Sequence, residues 1–204
     1  MSGAVAKPDI PSVHDVLREH RALVVHFSSV PPLDNTEHYF PDDLRHALQN
    51  PNMPGGLCCS VVKPGDTPEN AFGTVGLIFD LSNIDSLIAV SPGDGGAVLN
   101  SNGERDFDPK FKTFDLASVK ASISDRVINH HNEWGIKDYI VRGLFVFPGV
   151  ITVCDSFDAR DNVPLTRLYS LFPGQRAYSF QDGEIVELHP RRGSVRVDHN
   201  EIYK

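Results

Sequence analysis

The sequence predicts an α+β fold, and three observations carry that expectation. Short segments rich in β-branched and aromatic residues recur between Pro- and Gly-containing turns along most of the chain. Two or three stretches with helical apolar spacing lie early and mid-chain rather than alternating regularly with the strands. Finally, 204 residues with 40% apolar and 23% charged content suit one soluble globular domain with a sizeable core.

Residues 1–11 carry Pro8 and Pro11 and little periodicity, so a flexible arm is expected there, with a single domain over 12–204. Ser12 is placed to cap a helix over 13–20, whose apolar stripe is Val13, Val16 and Leu17. Residues 21–28 read as a central strand because Ala22, Leu23, Val24 and Val25 run together, with His26 near its end. Pro41 suits the first turn of a short helix reaching Leu48, with Asp42 and Asp43 at its favourable end. Strands follow at 57–62, 73–80 and 86–90, each bounded by Gly, Pro, Asn or Ser. Residues 91–113 form the least regular segment, and long irregular segments inside compact domains are usually functional or mobile. Asp115 caps a helix over 116–128 with Leu116, Val119, Ile123 and Val127 at helical spacing. Next come a strand entered at Glu133 and ending at Phe147, a turn at Pro148-Gly149 and a strand over 150–154. The segment 165–172 fits helix and strand equally. The tail reads as strands over 177–180, 184–188 and 194–197, the first two joined by an Asp182-Gly183 turn.

A formal charge of −8 argues against a protein that coats nucleic acid, since phosphate binding rests on clustered Lys and Arg. No apolar run approaches the roughly 20 residues of a membrane helix, and residues 1–11 lack the apolar core of a secretory signal. Cys58, Cys59 and Cys154 make an odd number with no zinc-ligand spacing, so buried thiols in a reducing, cytoplasmic-type compartment are expected.

The chain is organised around residues 130–147, where His130, His131, Glu133 and the single tryptophan, Trp134, lead into an apolar strand. A carboxylate at a strand entrance has its backbone fixed by the sheet while its side chain faces a loop-lined cleft. Two adjacent histidines on an extended segment point opposite ways, and no His-Glu-x-x-His pattern is present, so no metal is expected. Gly93, Gly95 and Gly96 lack the Lys-Ser/Thr ending of a phosphate-binding loop and read as an ordinary turn.

Polar groups at strand ends supply three anchors: Arg21 or His26 on the first strand, Ser60 on the second, and Glu133 entering the late strand. In order and segment type the stretch from Ala22 to Phe147 resembles the mono-ADP-ribosyltransferase family. There, a first-strand Arg or His, a second-strand Ser or Tyr and a Glu before a late strand form one NAD cleft. The family's second strand often reads Ser-Thr-Ser, of which Cys58-Cys59-Ser60 keeps the last position. His131 stands where the family often has Gln or Glu, a position that helps to select the acceptor.

The resemblance implies a bent or split, mainly antiparallel sheet and transfer of ADP-ribose from NAD to a protein acceptor, with release of nicotinamide. Glu133 would be catalytic. His26, preferred over Arg21 because it ends the strand, would bind the cofactor with Ser60. Trp134, Tyr139 or Phe27 would offer a face to nicotinamide. Bacterial effectors of the family modify host proteins such as ubiquitin or small GTPases, which implies delivery into a host cell. The competing readings are an NAD glycohydrolase and a non-enzymatic protein-binding domain.

Overall fold

The structure, a computed structural model, describes residues 6–28, 40–53, 55–68, 71, 73–96, 98–124, 132–148, 165–190 and 192–203. Among them lie the helices α1 (Ile10–His20), α2 (Phe40–Gln49), α3 (Leu116–Ser124), α4 (Leu165–Leu171) and α5 (His199–Ile202). The strands are β1 (Leu23–Phe27), β2 (Leu57–Val62), β3 (Val75–Leu81), β4 (Leu87–Ser91), β5 (Val98–Leu99), β6 (Arg105–Asp106), β7 (Glu133–Ile136), β8 (Tyr139–Val146), β9 (Ala177–Gln181), β10 (Glu184–His189) and β11 (Gly193–Arg196). The fold is therefore α+β. Helix α1 starts earlier than the sequence suggests because Asp9, not Ser12, is the cap, its side chain accepting the Ser12 N–H at 2.8 Å. The ambiguous segment after Leu165 is helical, and α5 has no counterpart among the expected elements. The strand expected over 150–154 lies outside the described residues.

Nine strands form one sheet in the order β11-β10-β9-β8-β3-β1-β2-β7-β4, and β5 pairs only with β6. All pairings are antiparallel except β8 with β9, whose connection carries α4. The apolar run expected to be one strand is two, parted by Lys137 and by Asp138 at φ 48°. These two strands are not partners: β7 pairs with β2 and β4, whereas β8 pairs with β3 and β9.

This connection forces the sheet to bend. From Ile136 to Tyr139 the chain reaches at most about 11 Å, whereas β7 and β8 have β2, β1 and β3 between them. Four strand spacings in a flat sheet would come to about 19 Å. The bend falls at the seam between β1 and β2, where the ladder comprises Leu23–Val62, Val24–Val61 and Val25–Ser60. Beyond it β1 continues on β3 through His26 and Phe27, and β2 continues on β7 through Cys59, Cys58 and Leu57.

One face of the sheet packs against α1, α2, α3 and α4 through Val13, Leu17, Leu44, Ala47, Val119, Ile123, Leu165 and Leu168. The other face carries a second apolar cluster on β1, β3, β8, β9 and β10, closed by Ile202 of α5. Because strand side chains alternate between faces, Cys59, Val61, Trp134 and Ile136 join the helix-covered core while Cys58, Ser60 and Glu133 face the other way. No helix among the described residues is long and apolar enough to cross a membrane.

Leu144, fully buried on β8 in the helix-covered core, is a sensitive probe of this arrangement. Truncation to Ala is expected to cost about 2–5 kcal/mol, read as a lowered denaturant midpoint at unchanged slope. An unchanged midpoint would contradict its place in the core.

Candidate functional site

Glu133 opens β7, and its position is set by the residue before it. Asn132 is fully buried, and its side chain behaves as an extra rung on β2: Oδ1 accepts the Val61 N–H at 2.6 Å while Nδ2 donates to Val61 O at 3.0 Å and to Ser122 O at 2.8 Å. Next along, Trp134 turns into the core, with no solvent exposure and with Nε1 donating to the Ser122 hydroxyl at 2.9 Å. Between these two pins Glu133 has little freedom. It pairs with Ser91 of β4, and extending the β2–β7 register by one step from the Cys59–Trp134 pair sets it opposite Ser60.

The Glu133 carboxylate is only 5% exposed, yet it is not paired with a cation among the described residues. Its Oε2 accepts the Gly95 N–H at 2.6 Å. A Cβ at position 95 would fall 2.8 Å from that oxygen, so glycine is what lets the backbone of the segment after β4 come down onto the carboxylate. The Cys58 thiol donates to Glu133 from the neighbouring strand. Burial, followed by this bond and the Glu133 charge, pushes the Cys58 pKa up to about 12, against an opposing pull from Arg105. Arg105, at the start of β6, donates from Nη1 to Cys58 Sγ at 3.1 Å. Arg105, Cys58, Glu133 and Gly95 thus form one chain of contacts over the face of β2 and β7.

Ser60 lies on the same face, 2% exposed, and its hydroxyl finds no hydrogen-bond partner among the described residues. Buried hydroxyls are nearly always satisfied, so an orphan beside a buried carboxylate marks a place where a ligand or water belongs. His26 lies at the seam between β1 and β2, paired with Leu77 on the helix-covered side of the sheet. Its ring stacks on Phe79 of the helix-covered core, and its Nδ1 lies 2.8 Å from Cys58 O. A carbonyl only accepts, so Nδ1 carries the proton and Nε2 is left as an acceptor. Burial lowers the His26 pKa, partly countered by the Cys58 bond and by Asp43, so the ring is neutral at pH 7.

The structure brings Glu133, Ser60 and His26 onto three consecutive strands, and it places the other expected site residues elsewhere. Arg21 is not on β1 at all: it is the left-handed cap of α1, with Nη1 on Glu184 Oε1 at 3.0 Å and on Gly183 O at 2.8 Å, at the opposite end of β1 from His26. Trp134 offers no face to a ligand because both ring and N–H are used in the core. Tyr139 is likewise a core residue, stacked on Phe79 with centroids 4.0 Å apart and donating its hydroxyl to Ala47 O at 2.7 Å. Phe27 belongs to the second apolar cluster and stacks on Phe147.

Arg105, Asn132 and Gly95 are the site residues that sequence reasoning missed. The polar residue just before a strand was the only available signal for Asn132. Among the described residues, no three His, Cys, Asp or Glu side chains stand together as a metal site requires; His130 and His131 lie outside them. No family model, curated protein or solved structure matches the chain.

The arrangement predicts a signed titration. Replacing Glu133 with Gln removes the negative charge that disfavours the Cys58 thiolate, so the thiolate absorbance, taken as the difference from a Cys58→Ser control, should rise at lower pH than in the parent protein. An unmoved midpoint would separate Cys58 from Glu133.

Proposed function

We propose that the chain transfers ADP-ribose from NAD to a protein acceptor, releasing nicotinamide. The observation that carries this reading is a buried carboxylate, Glu133, on the same sheet face as the unpartnered Ser60 hydroxyl, with neutral His26 at the adjoining seam. When the bond between nicotinamide and ribose breaks, its electron pair leaves with nicotinamide and positive charge develops on the ribose, as in glycoside cleavage. A carboxylate held by the Gly95 N–H and the Cys58 thiol is oriented in advance to stabilise that charge, where its effect is greatest in the transition state. Ser60 Oγ supplies a partner for the ribose hydroxyls, and His26 at the seam steadies β2 beneath it through Cys58 O. The acceptor nucleophile then bonds to the anomeric carbon and gives up its proton. If water plays that part, the same site is an NAD glycohydrolase.

A second reading has one observation in its favour. Val98 and Leu99 are 63% and 68% exposed on the β5–β6 hairpin, whose lead-in holds Glu133 through Gly95, as a protein-binding module with a structural carboxylate would have it.

Nicotinamide release separates the readings, measured with water alone, with cell lysate, and with ubiquitin or a small GTPase as acceptor. Glu133→Gln keeps the shape but removes the charge, so kcat should fall about 100-fold or more with little change in NAD affinity, the usual size of one lost transition-state contact. Ser60→Ala and His26→Ala should instead weaken NAD binding by calorimetry while the fold survives. A parent protein that neither binds NAD nor releases nicotinamide would favour the binding module.

A further inference from the structure

We infer that Arg105 is a phosphate anchor of the Glu133 site, binding the diphosphate of a dinucleotide; this rests on the NAD reading above for the identity of the ligand. The inference starts from how the guanidinium is placed. Arg105 pairs with Leu99 in the β5–β6 hairpin, and Gly55, at φ 74°, presses so closely on it that a Cβ there would lie 2.4 Å from Arg105 N and 2.8 Å from Arg105 O. The hairpin therefore presents this side chain from a backbone clamped on two sides.

The side chain itself is half-buried, and its one hydrogen bond among the described residues runs to the sulfur of Cys58. A protonated thiol is a weak acceptor, and a guanidinium carries five donors in a planar fork that fits carboxylate or phosphate. No ion pair among the described residues takes up Arg105. The contrast with Arg142 is sharp: that guanidinium donates from Nε at 3.1 Å and Nη2 at 2.6 Å to Asp80 Oδ2, as a partly buried arginine usually does. The chain has 27 acidic residues against 19 basic ones. Leaving a half-buried cation on a thiol is thus not forced by a lack of carboxylates. An unspent cation of this kind is complementary to an anion brought by a ligand.

The two charges also have the right relation to each other. Glu133 does not neutralise Arg105, because Cys58 stands between them and touches both. The site is negative on one side of the thiol and positive on the other, with the unpartnered Ser60 hydroxyl on the same strand as Cys58. A nicotinamide riboside diphosphate has the same polarity: positive charge develops at the anomeric carbon, and the diphosphate hangs a few atoms away on the 5′ oxygen. With the anomeric carbon against Glu133, the phosphates fall toward Arg105.

Calorimetry with Arg105→Met and Arg105→Lys tests this, using NAD, ADP-ribose, inorganic pyrophosphate and nicotinamide riboside as probes alongside nicotinamide-release kinetics. Arg105→Met should weaken NAD, ADP-ribose and pyrophosphate about 10- to 100-fold, the range expected for a charge-assisted hydrogen bond. It should leave nicotinamide riboside unaffected and raise KM far more than it lowers kcat. Arg105→Lys, which keeps the charge but not the fork, should recover part of the loss. If both variants bind NAD as tightly as the parent, the anchor is overturned while the NAD reading stands. If the parent ignores NAD yet binds pyrophosphate through Arg105, the anchor stands and the dinucleotide identity falls. A parent that binds none of the phosphate-bearing probes overturns the anchor.

Discussion

The side chain of Asn132 is the constraint on which the Glu133 side of the molecule depends. A buried primary amide is costly unless its hydrogen bonds are made, and this one spends both donors and its acceptor on Val61 and Ser122. It thereby fastens the entrance of β7 to β2 and to α3 at once. Trp134 repeats the attachment to Ser122 through the indole, whose target hydroxyl in turn donates to Val119 O at 2.7 Å. Such bonds are stronger in a low-dielectric interior than at the surface, and they leave the residue between them with a fixed backbone. The carboxylate of Glu133 inherits its position from groups on the helix-covered side of the sheet.

Around that carboxylate the protein keeps charge apart rather than pairing it. A direct Arg105–Glu133 ion pair would satisfy both groups and leave neither for a ligand. The Cys58 thiol instead interposes a neutral donor and weak acceptor, and burial together with Glu133 keeps it protonated. Cys58 and Cys59 look interchangeable in the sequence but have different surroundings. Cys59 faces the helix-covered core with Trp134, while Cys58 faces the polar side.

Much of the scaffold was legible because its signals are local. The apolar stripe of α1, the turn at Asp182-Gly183 and the apolar run of β1 each declare themselves within a few residues, and the entry of a strand at Glu133 was legible for the same reason. The division of 133–147 into two strands was hidden, since Lys137 and Asp138 carry neither Gly nor Pro and Asp138 takes a left-handed conformation without them. The facing of the aromatics was hidden too: whether Trp134 and Tyr139 look into the core or the cleft depends on pairing with distant strands, not on their own neighbours. Arg105 lies in the irregular segment 91–113, whose length suggests function or mobility but singles out no side chain. Its meaning comes from Cys58, 47 positions earlier in the chain.

The two-residue connection between β7 and β8 bears on motion as well as on curvature. Lys137 N–H and Asp138 N–H are further tied to Ser86 O and Pro51 O, so this corner has little slack. The halves of the sheet are otherwise joined at the short β1–β2 ladder. Glu133 stands opposite Ser60, a rung of that same ladder, so the carboxylate lies beside the joint, where the two halves hold each other in place.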